Sequence, residues 1–485
     1  MSAARAHVTP QPLGQSLDRA PFSKLHRRFW LLAALGILLD GFDFFIIGVA
    51  NPLIAEEFGI GATEKGLVSA AAIVGAVVGA GVLGPLADKI GRRRLFRFDL
   101  WLFVVFSLLC VFAWDVWSLI AFRFVLGIAI GLDYPIAASY LAEILPSRDR
   151  GRWLVGAFSL QAVGIVLGAG VGVVVLAIAP DVESWRWMLG FGALPALVII
   201  WLRRSTPESP RWLAQNGREQ EAEEVAEALV GHPVVVHEDD RRRTAPVAEG
   251  PAALIQPALF SRRWRRRTIF TAVPWFLMDV ATYGVGIFTP TLLAAMALAG
   301  PDATFISDDI ASTSGTAALD LFLVLGFVIA IALVEKVGRV RLQLFGFGAM
   351  AVALALLALA DGLDGGGAAH IWLVVLGFAI FNTFMNAGPN ATTYALPAEV
   401  FPSDIRAAGH GFAAACAKLG AALGVFLFPI LLDDIGSSAL LLILAGGCLL
   451  ALLVTAVFRI ETAGRSLEEL SGADVAGVSP RVTPP

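Results

Sequence analysis

Charge is scarce in this sequence. Asp, Glu, Lys and Arg make up 16% of its 485 residues, where a soluble domain carries about 25%. Hydrophobic residues supply 57%, and mean hydropathy is +0.75. That balance excludes an ordinary soluble protein. Cysteine is equally sparse: Cys110, Cys416 and Cys448 lie far apart, each inside an apolar run. They read as small buried hydrophobes, neither a disulfide frame nor a metal site. The chain also lacks a nucleophile–base pair, a metal-ligand spacing and a phosphate-cradling glycine loop. No enzyme, cofactor or nucleic-acid partner is expected. The net charge of −4 says little, because the placement of the charges matters more than their sum.

What the chain has instead is a series of apolar runs long enough to cross a bilayer. They fall at about 30–50, 66–86, 98–114, 117–141, 153–178, 186–203, 268–298, 316–336, 341–360, 370–398, 405–431 and 438–459, and are numbered here as spans 1 to 12. The connecting segments sort by charge. The N-terminus, the 2–3 loop (Lys89, Arg92, Arg93, Arg94, Arg97), the 4–5 loop (Arg148, Arg150, Arg152), the 8–9 loop (Lys336, Arg339, Arg341) and the C-terminus are basic. The opposite loops hold Glu56, Glu57, Asp181, Asp302, Asp308, Asp361 and Asp433. The positive-inside rule therefore predicts a multi-pass protein of the cell membrane with both termini in the cytoplasm.

The expected organisation is a tail over 1–29, a six-helix half over 30–203, a central loop over 204–267, a second half over 268–459 and a tail over 460–485. Residues 1–20 and 466–485 read as disordered. The first 29 residues are polar, end in Lys24-Leu-His-Arg-Arg28 and lead into a span that carries acids, so no cleavable leader is expected. In the loop, Glu219 to Leu229 predicts a short amphipathic helix. Arg241-Arg-Arg243 follows, then Arg262, Arg263, Arg265, Arg266 and Arg267. That last run either anchors and orients span 7 or binds anionic lipid.

Internal repeats decide the architecture. Ala87-Asp88-Lys89-Ile90-Gly91-Arg92 after span 2 recurs as Val334-Glu335-Lys336-Val337-Gly338-Arg339 after span 8. Glu143-Ile-Leu-Pro146 with Arg150 after span 4 recurs as Glu399-Val-Phe-Pro402 with Arg406 after span 10. Each recurrence lies about half a chain away, as in a parallel repeat of two six-span halves. These motifs resemble the signature of the major facilitator superfamily across residues 25–465. The fold class expected is an all-α polytopic membrane protein of twelve transmembrane helices in two pseudo-symmetric halves. Asp88, Arg92, Glu143, Arg150, Glu335, Arg339, Glu399 and Arg406 sit at span ends, where charge-assisted contacts can join neighbouring helices. The resemblance implies that such contacts act as gates, broken on inward opening. Topological anchoring by the bases is the simpler alternative, and both roles can coexist.

Charges inside the spans are few and clustered. Span 1 has Asp40-Gly-Phe-Asp43, span 4 has Arg123 and Asp133-Tyr134, span 5 Gln161, span 10 Asn382, Asn386 and Asn390, and span 11 Lys418. In span 7, Trp275, Asp279 and Tyr283 are spaced four apart and share one helical stripe. An acid in mid-bilayer costs roughly 2.5–3.5 kcal/mol on insertion scales, so it faces a partner, a cavity or a solute. Arg123 is the obvious partner for Asp40 or Asp43 in a buried salt bridge. Asp279 has no base in its own span. The asparagines and Gln161 read equally well as helix–helix glue, while Lys418 needs an acid or an anion.

Asp133-Tyr134-Pro135, the span 7 stripe, and Gly388-Pro-Asn-Ala-Thr-Thr-Tyr-Ala-Leu-Pro-Ala-Glu-Val-Phe-Pro402 with Arg406, His410-Gly411 and Lys418-Leu-Gly420 resemble the phosphate:proton symporter family. The resemblance implies that phosphate is held between the halves by Tyr134, Gln161, Trp275, Asp279, Tyr283 and Asn390, with Lys418 near the anion. It also implies that Asp133, Asp40 and Asp43 take part in proton movement; Arg123, the candidate partner of Asp40 or Asp43, is grouped with them. Gly131-Leu132 departs from that family, which has two glycines there. Pro207-Glu-Ser-Pro-Arg211 and Glu461-Thr-Ala-Gly-Arg-Ser-Leu-Glu468 look more like the sugar porters, although span 7 lacks their paired glutamines. Asp40-Gly-Phe-Asp43 also resembles the aromatic-acid:proton symporters.

The function expected is proton-coupled import of inorganic phosphate by alternating access, in a monomer driven by a proton gradient. A sugar or organic-acid symporter of the same fold, and a non-transporting sensor, are the alternatives. An anion beside an ionised Asp279 would be repelled strongly in low dielectric. Protonation removes that repulsion and makes the carboxyl a donor.

Overall fold

A chain this apolar can satisfy its backbone N–H and C=O groups in a bilayer only within helices or a closed barrel. The computed structural model describes residues 11–80, 90–146, 150–238, 257–298, 305–363, 366–401 and 405–462, and almost all of them are helical. Spans 1 to 6 are Lys24–Phe58, Ala62–Val78, Arg92–Val111, Val116–Ile144, Arg150–Ile178 and the pair Trp185–Phe191 and Ala193–Arg203. Span 7 is Arg265–Ile287 continued by Thr289–Leu293, span 8 Phe305–Val337 and span 9 Arg339–Gly362. Span 10 joins Ile371–Met385 to Ala391–Val400 through a π turn, Asn386–Asn390, at Pro389. Spans 11 and 12 form one continuous element, Arg406–Phe458, broken where Gly436 turns to φ 77° and ψ 169°.

Nine of the described helices are long and apolar enough to cross a membrane by length and composition. Splitting the last at Gly436 gives ten. The other two are span 2, with 17 helical residues, and span 3, which opens on Arg92, Arg93, Arg94 and Arg97. Twelve spans result.

The packing repeats with the sequence. Span 1 lies along span 5 as span 7 lies along span 11; span 2 packs on span 4 as span 8 packs on span 10; span 3 packs on span 6 as span 9 packs on span 12. Spans 5 and 8, and spans 2 and 11, join the halves. Small residues set the closest approaches, because in lipid packing rather than hydrophobicity holds helices together. Gly75 and Gly79 of span 2 face the carbonyls of Phe124 and Ile128, and Gly127 and Gly131 of span 4 face those of Ala72 and Ala76. A Cβ at any of the four would overlap the opposing oxygen.

The N-terminal segment differs from expectation. Residues 11–20 are ordered against the central loop rather than disordered. Gln11–Pro12 pairs in parallel with Val234–Val235, and the following helix Leu13–Arg19 buries Leu13 and Leu17. The expected loop helix, Glu219–Val230, contributes Ala222, Ala226 and Leu229 to the same apolar cluster. Asp18 and Arg211 close the contact at 2.8 Å. Two short apolar stripes with no lipid to face bury each other. Residues 466–485 lie outside the described residues.

Candidate functional site

The span 7 stripe forms as its spacing requires. Asp279 and Tyr283 are buried, at 3% and 6% exposure, and Trp275 is half-buried. Lys418 of span 11 reaches the stripe: its Nζ donates to the Tyr283 hydroxyl at 2.8 Å and lies 4.7 Å from that ring's centre. It also lies 5.9 Å from the ring of Phe44 in span 1, so the ammonium sits between the two halves. Asp279 lies one turn before Tyr283 on the same stripe. A cation, a carboxyl and a phenol from the second half thus converge where the first half meets them.

In the first half the acids sort into two groups. Asp43 takes Arg123 as its partner at 3.7 Å, both almost wholly buried, while Arg123 Nε donates to the Val68 carbonyl at 3.1 Å. Of the two partners considered for Arg123, the geometry selects Asp43. Asp133 pairs with Arg203 at 3.0 Å. Arg203 also donates to the carbonyls of Leu32 (2.9 Å) and Ala33 (3.2 Å) and stacks over Phe96 at 4.3 Å. Asp40, Asp99 and Asp133 line one small pocket of about 10 Å³, which is space for about one water. The Oδ2 atom of each makes no hydrogen bond among the described residues. Of the three carboxyls only Asp133 is in an ion pair among the described residues, with Arg203.

Span 10 divides its asparagines between two tasks. Asn382 and Asn386 donate to the Leu319 and Leu323 carbonyls of span 8, each at 3.0 Å. These are helix–helix glue. Asn390 donates to Asn386 Oδ1 at 2.6 Å, which aims its own oxygen elsewhere. Gln161 is buried in span 5, where Gly41 of span 1 packs against its backbone carbonyl.

One turn toward the basic loops, an aromatic cluster spans the halves. Trp275 meets Tyr394 and His410 edge-on, at 6.3 Å and 5.8 Å between ring centres. Tyr394 in turn stacks on Phe158 of span 5 at 5.0 Å and 21°. These rings join span 5 of the first half to spans 7, 10 and 11 of the second on the basic-loop side of the site.

The repeated loop motifs show why they recur. Gly91 and Gly338 adopt φ of 101° and 95°, open to glycine at little cost, and lead directly into spans 3 and 9. A carboxylate then caps each helix start. Glu208 accepts from the Arg92 and Arg93 N–H groups at 3.0–3.3 Å, and Glu461 accepts from the Arg339 N–H at 3.2 Å. The arginine of each pair reaches the acid at the end of the neighbouring span: Arg92 to Glu143 at 2.8 Å and Arg339 to Glu399 at 3.2 Å. Arg339 holds Glu335 as well, at 2.7 Å, and Thr462 donates to Glu399.

The structure therefore brings Trp275, Asp279, Tyr283 and Lys418 together, and separately Asp40 with Asp133 and Asp43 with Arg123. Asp88 and the side chains of Tyr134, Arg150 and Arg406 lie outside the described residues. Sequence reasoning missed three participants and one further buried acid. Arg203 reads as a span-end base beside Arg204, and Asp99 as a charge trailing the basic 2–3 loop. Glu208 was visible only as part of a motif. Asp320 lies within span 8 and is buried at 5% exposure; the rule that singled out Asp279 applies to it equally.

The sequence model for sugar (and other) transporters matches residues 29–473. Among curated proteins, the inner membrane metabolite transport protein YgcS of Escherichia coli (strain K12) is 32% identical over 464 residues, covering 96% of this chain and 97% of that one. Inorganic phosphate transporter 1-2 of Oryza sativa subsp. japonica is 29% identical over 512 aligned positions, covering 95% and 96%. Among solved structures, the major facilitator superfamily proton:xylose symporter XylE, bound to 6-bromo-6-deoxy-D-glucose, matches with a TM-score of 0.68 at 21% identity. That match covers 92% of this chain and 98% of the other.

Proposed function

This chain belongs to the sugar (and other) transporter family of the major facilitator superfamily, and from that premise we propose that it imports inorganic phosphate with protons by alternating access. It acts as a monomer in the cell membrane, both termini cytoplasmic, with the proton gradient in place of a cofactor. The observation that carries the reading is the Lys418–Tyr283 contact beside Asp279 at the meeting of the halves. A buried ammonium gives an anion a counter-charge, which a neutral sugar does not call for. The similarity to a rice protein named as an inorganic phosphate transporter supports the same substrate.

The mechanism follows from charge. With Asp279 ionised, its negative charge offsets Lys418 and repels an incoming anion. A proton on Asp279 frees Lys418 for the phosphate and adds a donor, while Tyr283 and the Trp275 N–H supply neutral ones. Proton and anion thus bind cooperatively, and loss of either weakens the other. The Asp40–Asp99–Asp133 cluster, with its surplus of carboxyls over Arg203, passes protons through the first half. Opening toward the cytoplasm requires the Phe158–Tyr394 stack to part, together with the Arg92–Glu143 and Arg339–Glu399 contacts.

A second reading, a sugar or organic-acid symporter, is favoured by the Glu208 and Glu461 caps, whose sequence context resembles the sugar porters. Radiolabelled phosphate uptake into proteoliposomes under an imposed pH gradient separates the two. Uptake should collapse with a protonophore and be competed by unlabelled phosphate. Competition by glucose or benzoate in its place would transfer the assignment to the second reading.

A further inference from the structure

On the basic-loop face, the starts of spans 7 and 9 and the end of span 12 enclose a cavity of about 640 Å³. Its described lining contains five arginines, Arg263, Arg266, Arg267, Arg341 and Arg459, against a single acid, Glu461. The carboxylate is turned toward the start of span 9, accepting the Arg339 and Thr462 N–H groups at 3.2 Å and 3.1 Å. Among the described residues none of the five arginines is in an ion pair.

Their placement is held by neighbours. Trp264, itself buried, carries Arg263 and Arg267 on its ring at 4.7 Å and 4.8 Å. Arg267 also donates to the Val400 carbonyl at 2.5 Å. Orienting span 7 requires only that bases lie on this side of the bilayer. It does not require three segments distant in sequence to aim guanidiniums into one concavity, where they repel each other until an anion enters. The volume lies within the range of small-molecule sites, and the planar fork of Arg matches phosphate oxygens in pairs.

We propose that this cavity binds a phosphate-bearing anion, separate from the transport site. Two sources share that chemistry, an anionic phospholipid headgroup and a soluble polyphosphate. Val340 and Leu344 form an apolar wall continuous with span 9, which suits a lipid whose chains run on along the helix. The site sits beside the Arg339–Glu399 gate, so its occupant stabilises the closed arrangement of spans 7, 9 and 12.

The test uses the full chain purified in neutral detergent, titrated by calorimetry with short-chain phosphatidylglycerol, short-chain phosphatidylcholine and pyrophosphate. Arg341→Gln/Arg459→Gln removes two exposed guanidiniums that take no part in the proposed transport machinery. Saturable binding of phosphatidylglycerol, weakened about tenfold or more in that variant and largely retained in Arg341→Lys/Arg459→Lys, supports the headgroup. The same pattern with pyrophosphate supports the soluble anion. Equal affinity for phosphatidylcholine, binding unchanged by the glutamines, or no saturable heat from either anion overturns the proposal. Should the double variant unfold, Arg341→Gln and Arg459→Gln singly carry the same comparison.

Discussion

Lys418 of span 11 donates a hydrogen bond to the hydroxyl of Tyr283 in span 7, at 2.8 Å. A phenol is a weaker partner for a buried ammonium than a carboxylate or a phosphate, and Asp279 lies one turn along the same helix. A phosphate oxygen, as a charged acceptor, competes for the Lys418 ammonium. Lys418→Met should therefore fold and reach the membrane, while its KM for phosphate uptake rises roughly tenfold to a hundredfold, as loss of a charge-assisted hydrogen bond implies. Lys418→Arg should fall between the two. An unchanged KM in Lys418→Met would take the ammonium out of the anion site and favour a neutral substrate.

Asp279 controls whether that site accepts an anion. If protonation must precede binding, apparent affinity in the wild type declines as pH rises, because the ionised carboxylate both repels the anion and occupies Lys418. Asp279→Asn imitates the protonated acid permanently. Its phosphate binding should persist and lose its pH dependence, while uptake driven by a pH gradient falls to background. Equilibrium binding at several pH values, run beside uptake on the same preparations, reads both halves of the claim. Full gradient-driven uptake in the variant would remove Asp279 from coupling.

Asp43 and Arg123 make a different kind of pair. They lie 3.7 Å apart with about 1% exposure each, and neither Asp43 Oδ2 nor the terminal nitrogens of Arg123 has a hydrogen bond among the described residues. Removing one partner strands the other charge, at a cost of about 3–5 kcal/mol. Asp43→Asn should lower the detergent unfolding temperature markedly. Asp43→Asn/Arg123→Met should recover most of the loss, since a neutral pair of similar volume needs no counter-ion. Thermal unfolding of the three variants decides it. If the double variant also transports with normal coupling, the pair is structural and protons travel through Asp40, Asp99 and Asp133 alone.

The legible and illegible parts of this chain differ for physical reasons. A bilayer forces long apolar runs, and basic loops must stay on one side of it, so the spans and the two-fold repeat could be read from the residues themselves. Intramembrane acids are expensive enough to stand out, as Asp40, Asp43, Asp133 and Asp279 do, but cost alone does not place an acid in a site, and Asp99 and Asp320 carry the same cost. Which base meets which acid depends on helix rotation and depth, and a span drawn on a sequence carries neither. Arg123 reaches Asp43, and Asp133 finds Arg203 from span 6, a base that looked like a membrane-edge anchor. The acid Glu208 was similarly legible as part of Pro207-Glu-Ser-Pro-Arg211, but its task of capping span 3 depends on a loop folding back onto the bundle.

The Phe158–Tyr394 stack joins the two halves on the basic-loop side, next to the proposed transport site. Phe158 belongs to span 5 and Tyr394 to span 10, and Tyr394 is braced by Trp275 and His410. Aromatic pairs contribute about 0.5–1.5 kcal/mol beyond the area they bury, which shifts a two-state balance up to about tenfold. Tyr394→Ala should therefore populate the state open on this side, and Phe158→Ala should do so to a similar degree. Because they remove the same contact, the double variant should exceed neither single by much. Spin labels at positions 152 and 336, both exposed, near the start of span 5 and the end of span 8, would report the change as a longer distance component. Widening confined to Phe158→Ala would instead place the closure in its edge-on contact with Phe327, 6.4 Å away in span 8, and leave Tyr394 as a wall of the site rather than part of its gate.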